Sequence, residues 1–161
     1  MFNFKTTLYL KIILILSLIA LISAYFIEHV LGHQPCNLCL IERIPYGLSA
    51  ILIITMFIFK KNERFFVILL ILVFIFSFAI SIYHLGIEQG YIQESTVCGV
   101  KDLTESMSKE DLIKQLNKKI VSCKDVTFRI FGLSLTSINI VLSLFLIITL
   151  TKIYIKYEKN K

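Results

Sequence analysis

Along most of this chain the apolar residues neither alternate nor keep to one helical face; they come in long runs. Leu8–Ile27, Leu40–Phe59, Phe65–Tyr83 and Leu133–Ile153 are dominated by Ile, Leu, Phe and Val. Each matches the ~20 residues that a helix needs to cross a hydrocarbon core of ~30 Å. A helix that is apolar on all sides belongs in lipid or in a protein interior. The expected fold is therefore all-α: a four-transmembrane-helix bundle, with residues 1–161 forming a single membrane domain. Segments 28–39 and 84–132 are the expected loops on one side of the membrane. The first run does not read as a cleavable leader, because it is long and no clear small-x-small site precedes a soluble domain.

The polar interruptions set the remaining expectations. Gly32 and Pro35 punctuate the exit from the first span, and a proline suits the start of a helix, where its missing N–H would be unpaired anyway. The second span is therefore expected to begin at or near Cys36, and Pro45 inside it to cost a hydrogen bond and produce a kink. Lys60–Arg64 is short enough only for an antiparallel turn. Ser134, Thr136, Ser137, Asn139 and Ser143 in the last span are of the kind that packs membrane helices together. In the long loop, Ser108 can cap a helix with Asp111 three residues on, and Leu112, Ile113, Leu116 and Ile120 recur at helical spacing. With Lys109, Lys114, Lys118 and Lys119 at the other positions, this stretch reads as a short amphipathic surface helix. A helix packed on its own loop fits the pattern equally.

Charge adds orientation. Lys5, Lys11, the Lys60–Arg64 connector and the tail with Lys152, Lys156, Lys159 and Lys161 lie on one side. Across the membrane, residues 86–131 balance seven bases (Lys101, Lys109, Lys114, Lys118, Lys119, Lys124, Arg129) with seven acids (Glu88, Glu94, Asp102, Glu105, Glu110, Asp111, Asp125). Basic loops stay in the cytoplasm, so both termini are expected there. The formal net charge of +6 is then a topology signal and not a nucleic-acid footprint.

All four cysteines, Cys36, Cys39, Cys98 and Cys123, fall on the non-cytoplasmic side, which in a bacterial cell is an oxidising compartment. Cys36-Asn37-Leu38-Cys39 is a C-x-x-C at the head of a span. Residues three apart share a helical face, and a helix N-terminus favours thiolate, the form that attacks disulfides. Arg43, four residues on, is placed just below Cys39, whereas Glu42 points elsewhere on the helix. An arginine at that depth needs a partner or a cavity, and it could hydrogen-bond a carbonyl ligand and stabilise charge developing there; snorkelling to the surface is its bland alternative. A static C-x-x-C disulfide would close too small a loop to stabilise much. A Cys98–Cys123 bond would close one of about 25 residues, worth ~3–4 kcal/mol in the chain-entropy model, so a structural staple stays open for that pair. Single histidines such as His29, His33 and His84 usually serve as hydrogen-bonding groups at an interface. Two widely separated cysteines are poor partners for zinc with the C-x-x-C, so no metal is expected.

Pro35-Cys36-Asn37-Leu38-Cys39-Leu40-Ile41-Glu42-Arg43-Ile44-Pro45-Tyr46 resembles the signature of the disulfide bond formation protein B (DsbB) family. So do Tyr83-His84-Leu85-Gly86-Ile87-Glu88 and Cys123 followed by Phe131-Gly132-Leu133-Ser134. The resemblance covers the whole chain and implies a thiol:quinone oxidoreductase of the bacterial inner membrane. A reduced thioredoxin-fold oxidase (DsbA-like) would attack a Cys98–Cys123 disulfide at Cys98. Cys123 would then engage Cys36, and Cys39 would deliver the electrons to ubiquinone or menaquinone, positioned by Arg43 with His84 nearby. This chemistry is the family's own, as in the quinone-linked oxidation of the periplasm, and comes by resemblance, not from spacing. The chain has no tryptophan, unlike some members. A vitamin K epoxide reductase-like enzyme would carry its pairs in the opposite order, and a four-span scaffold with structural disulfides is the non-catalytic alternative.

Overall fold

A computed structural model of the chain describes residues 4–59, 62–94, 98, 121–124, 128–130 and 132–159. The amphipathic stretch from Ser108 to Ile120 lies outside the described residues. Among the described residues, four helical spans are long and apolar enough to cross a membrane. They are α1 (Phe4–His29), a broken pair α2 (Asn37–Ile41) and α3 (Ile44–Ile58), α4 (Glu63–Glu88), and α5 (Leu135–Lys159). A two-stranded antiparallel ladder not expected from the sequence, β1 (Arg129–Ile130) and β2 (Leu133–Ser134), precedes α5. Gly132, at φ +83°, supplies the left-handed residue that its tight connection needs.

The bundle is organised with lipid as its solvent. Ile22, Ile51, Ile58 and Val141 face outward, each more than 60% exposed. Leu10, Ile13, Ile53, Leu70, Phe74, Leu146 and Leu150 fill the interior. α4 packs most extensively on α5, α1 on α3, and α3 on α4. Small polar residues line these seams, as expected for the last span. Ser77 and Ser143 hydroxyls lie 3.1 Å apart, and those of Ser17 and Ser49 3.0 Å apart. Asn139 donates from Nδ2 to Ser81 at 2.7 Å and accepts from the Tyr46 hydroxyl, tying α5 to both α4 and α3. At the connector end, Arg64 reaches Tyr154 and Glu158 on α5.

Two helix ends decide where the chemistry sits. Pro45 does not kink a continuous span: the helix stops at Ile41, passes through a turn at Glu42 and Arg43, and restarts at Ile44. Pro45 then occupies the second position of α3, where it forfeits no helical bond. α4 runs to Glu88, five residues past the expected Tyr83, and ends in a Schellman motif. Gly90 at φ +79° bonds back to Ile87, and the Tyr91 N–H bonds to Gly86. That extension keeps His84 and Glu88 one turn apart on a rigid helix.

Candidate functional site

Cys36 caps α2 with its own sulfur, which accepts from the Cys39 N–H at 3.3 Å. The two thiols of the C-x-x-C are reduced, and their Sγ atoms lie 2.8 Å apart. Cys98 and Cys123 form a disulfide with Cα atoms 5.7 Å apart. The two pairs are not separate features. Cys36, Cys98 and Cys123 are buried in one cluster with Leu38 and Ile87, and Cys39 packs against it. Glu94 holds the Cys123 segment by accepting from Ser122 and from the Lys124 N–H. The ring of His33 lies 5.2 Å from that of Phe128, joining the two loops.

Beneath the pairs, a cavity of about 340 Å³ opens between the spans. Ala20, Ala24 and Leu142 supply part of its apolar wall, and Cys36, Cys39 and Cys123 reach it from above. Arg43 lines it as expected, with a partner the sequence did not reveal. Its Nη1 donates to Glu28 at 2.5 Å, and the guanidinium stacks over the Tyr25 ring at 5.1 Å, both on α1. A snorkelling side chain would not be 15% exposed and ion-paired across helices.

His84 is the buried centre of the site, with a side chain only 2% exposed. Its Nε2 lies 3.5 Å from Cys36 Sγ, and its Nδ1 lies 3.0 Å from Glu42 Oε1. Thr136 sits 3.2 Å from the same Nδ1 and donates to Glu88. Glu42 therefore does not point elsewhere: three residues after Cys39 it shares that residue's face, and both it and Arg43 line the cavity. Glu42, Glu88 and Thr136 are the residues that sequence reasoning passed over. A carboxylate inside an apolar span has to be partnered, the signal that was applied to Arg43 and applies equally to Glu42. His29 donates locally to the Tyr25 carbonyl, whereas His33, beside Phe128, lines the rim of the same cavity as the cysteines.

Cys36 stands just outside the spans, and its thiol is pulled down from 9.0 to about 5. The hydrogen bond with Cys39 is the main cause, and His84 adds to it against the opposing effect of burial. An acid with a depressed pKa holds its charged form above that value, so the Cys36 thiolate persists until pH falls through about 5. Thiolate absorbance of a reduced Cys98→Ala/Cys123→Ala variant is expected to show one thiolate titrating near 5. A first midpoint near the ordinary ~8.5 would contradict the arrangement.

The family model described as Disulfide bond formation protein DsbB matches residues 6–153. The chain belongs to the DsbB family. It is thus a multi-pass membrane oxidoreductase of disulfide bond formation, and the vitamin K epoxide reductase-like alternative is set aside. It is also 31% identical over 153 residues to "Uncharacterized protein RP370" of Rickettsia prowazekii (strain Madrid E), covering 93% of this chain and 88% of that protein. No solved structure matches it.

Proposed function

We propose that this DsbB-family chain reoxidises a periplasmic thioredoxin-fold dithiol oxidase (DsbA-like) and passes the electron pair through its two cysteine pairs to a membrane quinone. The observation that carries the reading is the single buried cluster of Cys36, Cys98 and Cys123, with Cys39 packed on it above the cavity. The distribution of Lys and Arg supports a periplasmic location for the cysteines and a cytoplasmic one for both termini.

The exchanges balance as follows. A partner thiolate attacks Cys98, the Cys98–Cys123 bond breaks, and Cys123 leaves as a thiolate. The partner's second thiolate then attacks its own sulfur in the mixed disulfide, leaving Cys98 and Cys123 reduced and the partner oxidised. With Cys36 and Cys39 bonded, Cys123 attacks Cys36 and Cys39 leaves. Cys98 resolves the Cys36–Cys123 bond, so the outer disulfide re-forms and the inner pair holds both electrons. The bonded outer pair and unbonded inner pair of the structure agree with that product. Stabilising the Cys36 thiolate makes the inner disulfide the stronger oxidant, which favours this direction.

The cavity fits a quinone headgroup. Its volume lies within the range of small-molecule sites, an apolar wall faces Arg43 and His84, and Glu88 Oε2 is buried with no hydrogen-bond partner among the described residues. Arg43, His84, Glu88 and Thr136 are the side chains that would hold such a ring. A quinone bound there would supply the sink for two electrons and two protons. Glu28 fixes the Arg43 guanidinium, and Glu42 fixes the imidazole beside Cys36.

A partner stripped of its second thiol tests the outer step. It is expected to be trapped on Cys98 as a mixed disulfide, visible on a non-reducing gel, with Cys98→Ser abolishing the adduct and Cys36→Ser retaining it. An equal adduct on Cys98→Ser would overturn the assignment.

A further inference from the structure

Two thiols and an imidazole meet beside the cavity with a geometry that the redox cycle alone does not demand. Cys36 Sγ, Cys39 Sγ and a His84 ring nitrogen all lie within 4.8 Å of one another. His84 presents Nε2 to Cys36 while Nδ1 is held by the Glu42 carboxylate. That is the carboxylate–histidine arrangement that orients imidazoles on metals. Glu88, buried on the next turn of α4, brings Oε1 to 3.8 Å from Nε2, and its other oxygen has no hydrogen-bond partner among the described residues.

We propose that the reduced inner pair, together with His84 and with Glu88 as fourth donor, is a binding site for a thiophilic divalent cation, Zn²⁺. Two sulfurs and an imidazole select such an ion over Mg²⁺ or Ca²⁺. The distances decide how much must move. With Zn–S of about 2.3 Å and Zn–N of about 2.0 Å, a tetrahedral site places sulfur and nitrogen roughly 3.5 Å apart and the two sulfurs roughly 3.8 Å apart. The Cys36–His84 edge is already 3.5 Å. The sulfur pair, at 2.8 Å, has to open by about 1 Å, within reach of side-chain rotation of Cys39.

Binding displaces the remaining thiol protons and changes no oxidation state. It is redox-gated, because a Cys36–Cys39 disulfide offers no thiolate. A bound ion ties up the two sulfurs whose oxidation completes the catalytic cycle, so Zn²⁺ arrests the enzyme in its inner-reduced state. The site rests on the geometry alone and not on the quinone reading, since metal retention is measured without partner or quinone.

The test uses the full chain in detergent with Zn²⁺, and Co²⁺ as a spectroscopic stand-in. Reduced Cys98→Ala/Cys123→Ala protein is expected to retain one Zn²⁺ per chain after desalting and to show sulfur-to-Co²⁺ charge transfer. The same variant with its inner pair oxidised is expected to retain none. His84→Ala should weaken binding at least ~10-fold and change the Co²⁺ spectrum. Should removal of the loop disulfide unfold the protein, fully reduced wild type is compared with Cys36→Ala/Cys39→Ala, which should hold one equivalent less. Equal retention in the reduced and oxidised states, or in wild type and the inner-pair variant, overturns the site. So does undiminished binding by His84→Ala.

Discussion

Replacing Cys39 by serine is expected to lower quinone reduction driven by a reduced thioredoxin-fold partner by on the order of 10³-fold or more. Serine nearly matches cysteine in size but cannot close a disulfide with Cys36, so the inner pair loses its ability to release two electrons together. The fold should survive, because Cys39 is only partly buried and the C-x-x-C thiols are unbonded in the structure. Steady-state reduction of ubiquinone and menaquinone analogues checks the rate. The mixed disulfide on Cys98 provides the control, since it should form as in wild type. Full-rate quinone reduction by the variant would remove the inner pair from the electron path.

The second large effect is expected at Glu42. Its carboxylate is the acceptor that holds Nδ1 of a nearly inaccessible imidazole. Glu42→Leu removes that charged acceptor and leaves Nδ1 only the Thr136 hydroxyl at 3.2 Å; losing a hydrogen bond to a charged group costs about 1.5–3 kcal/mol. Loss of the orienting partner should lower turnover roughly 10- to 100-fold, as for other groups that fix a functional histidine. Glu42→Gln keeps an oxygen for Nδ1 and should recover most of the rate. A merely structural role would instead show the two variants with equal thermal stability losses and no difference in kcat. Wild-type turnover in Glu42→Leu would mean that His84 needs no orientation.

The parts of this molecule that were legible in its sequence are those imposed by lipid. Four apolar runs could only be spans, and Arg43 inside one of them had to find a partner or a cavity; it found both. The helix ends were less legible, because they are set by local backbone chemistry and not by hydropathy. Gly90 and its Schellman bonds carry α4 through polar residues to Glu88. Lys11 and Lys152 lie inside helices that continue past the apolar runs. Glu42 was legible by the rule that places Arg43: it follows Cys39 by three residues, as Arg43 does by four, so both share the Cys39 face of a helix. In the structure its carboxylate reaches His84. The end of the helix at Ile41 was not legible, since Pro45 was expected to bend that helix, not to sit just inside the start of a new one. Thr136 and Asn139 were rightly placed as packing residues, but a seam between membrane helices that widens into a cavity makes the same side chains its lining.

The relay is tested most directly by counting. Purified full-length protein, a reduced thioredoxin-fold partner and excess quinone should give one quinol for each disulfide formed in the partner, with both cysteine pairs cycling. The contrary result is a partner that stays reduced, with no quinol formed, in protein whose Cys98–Cys123 bond is intact.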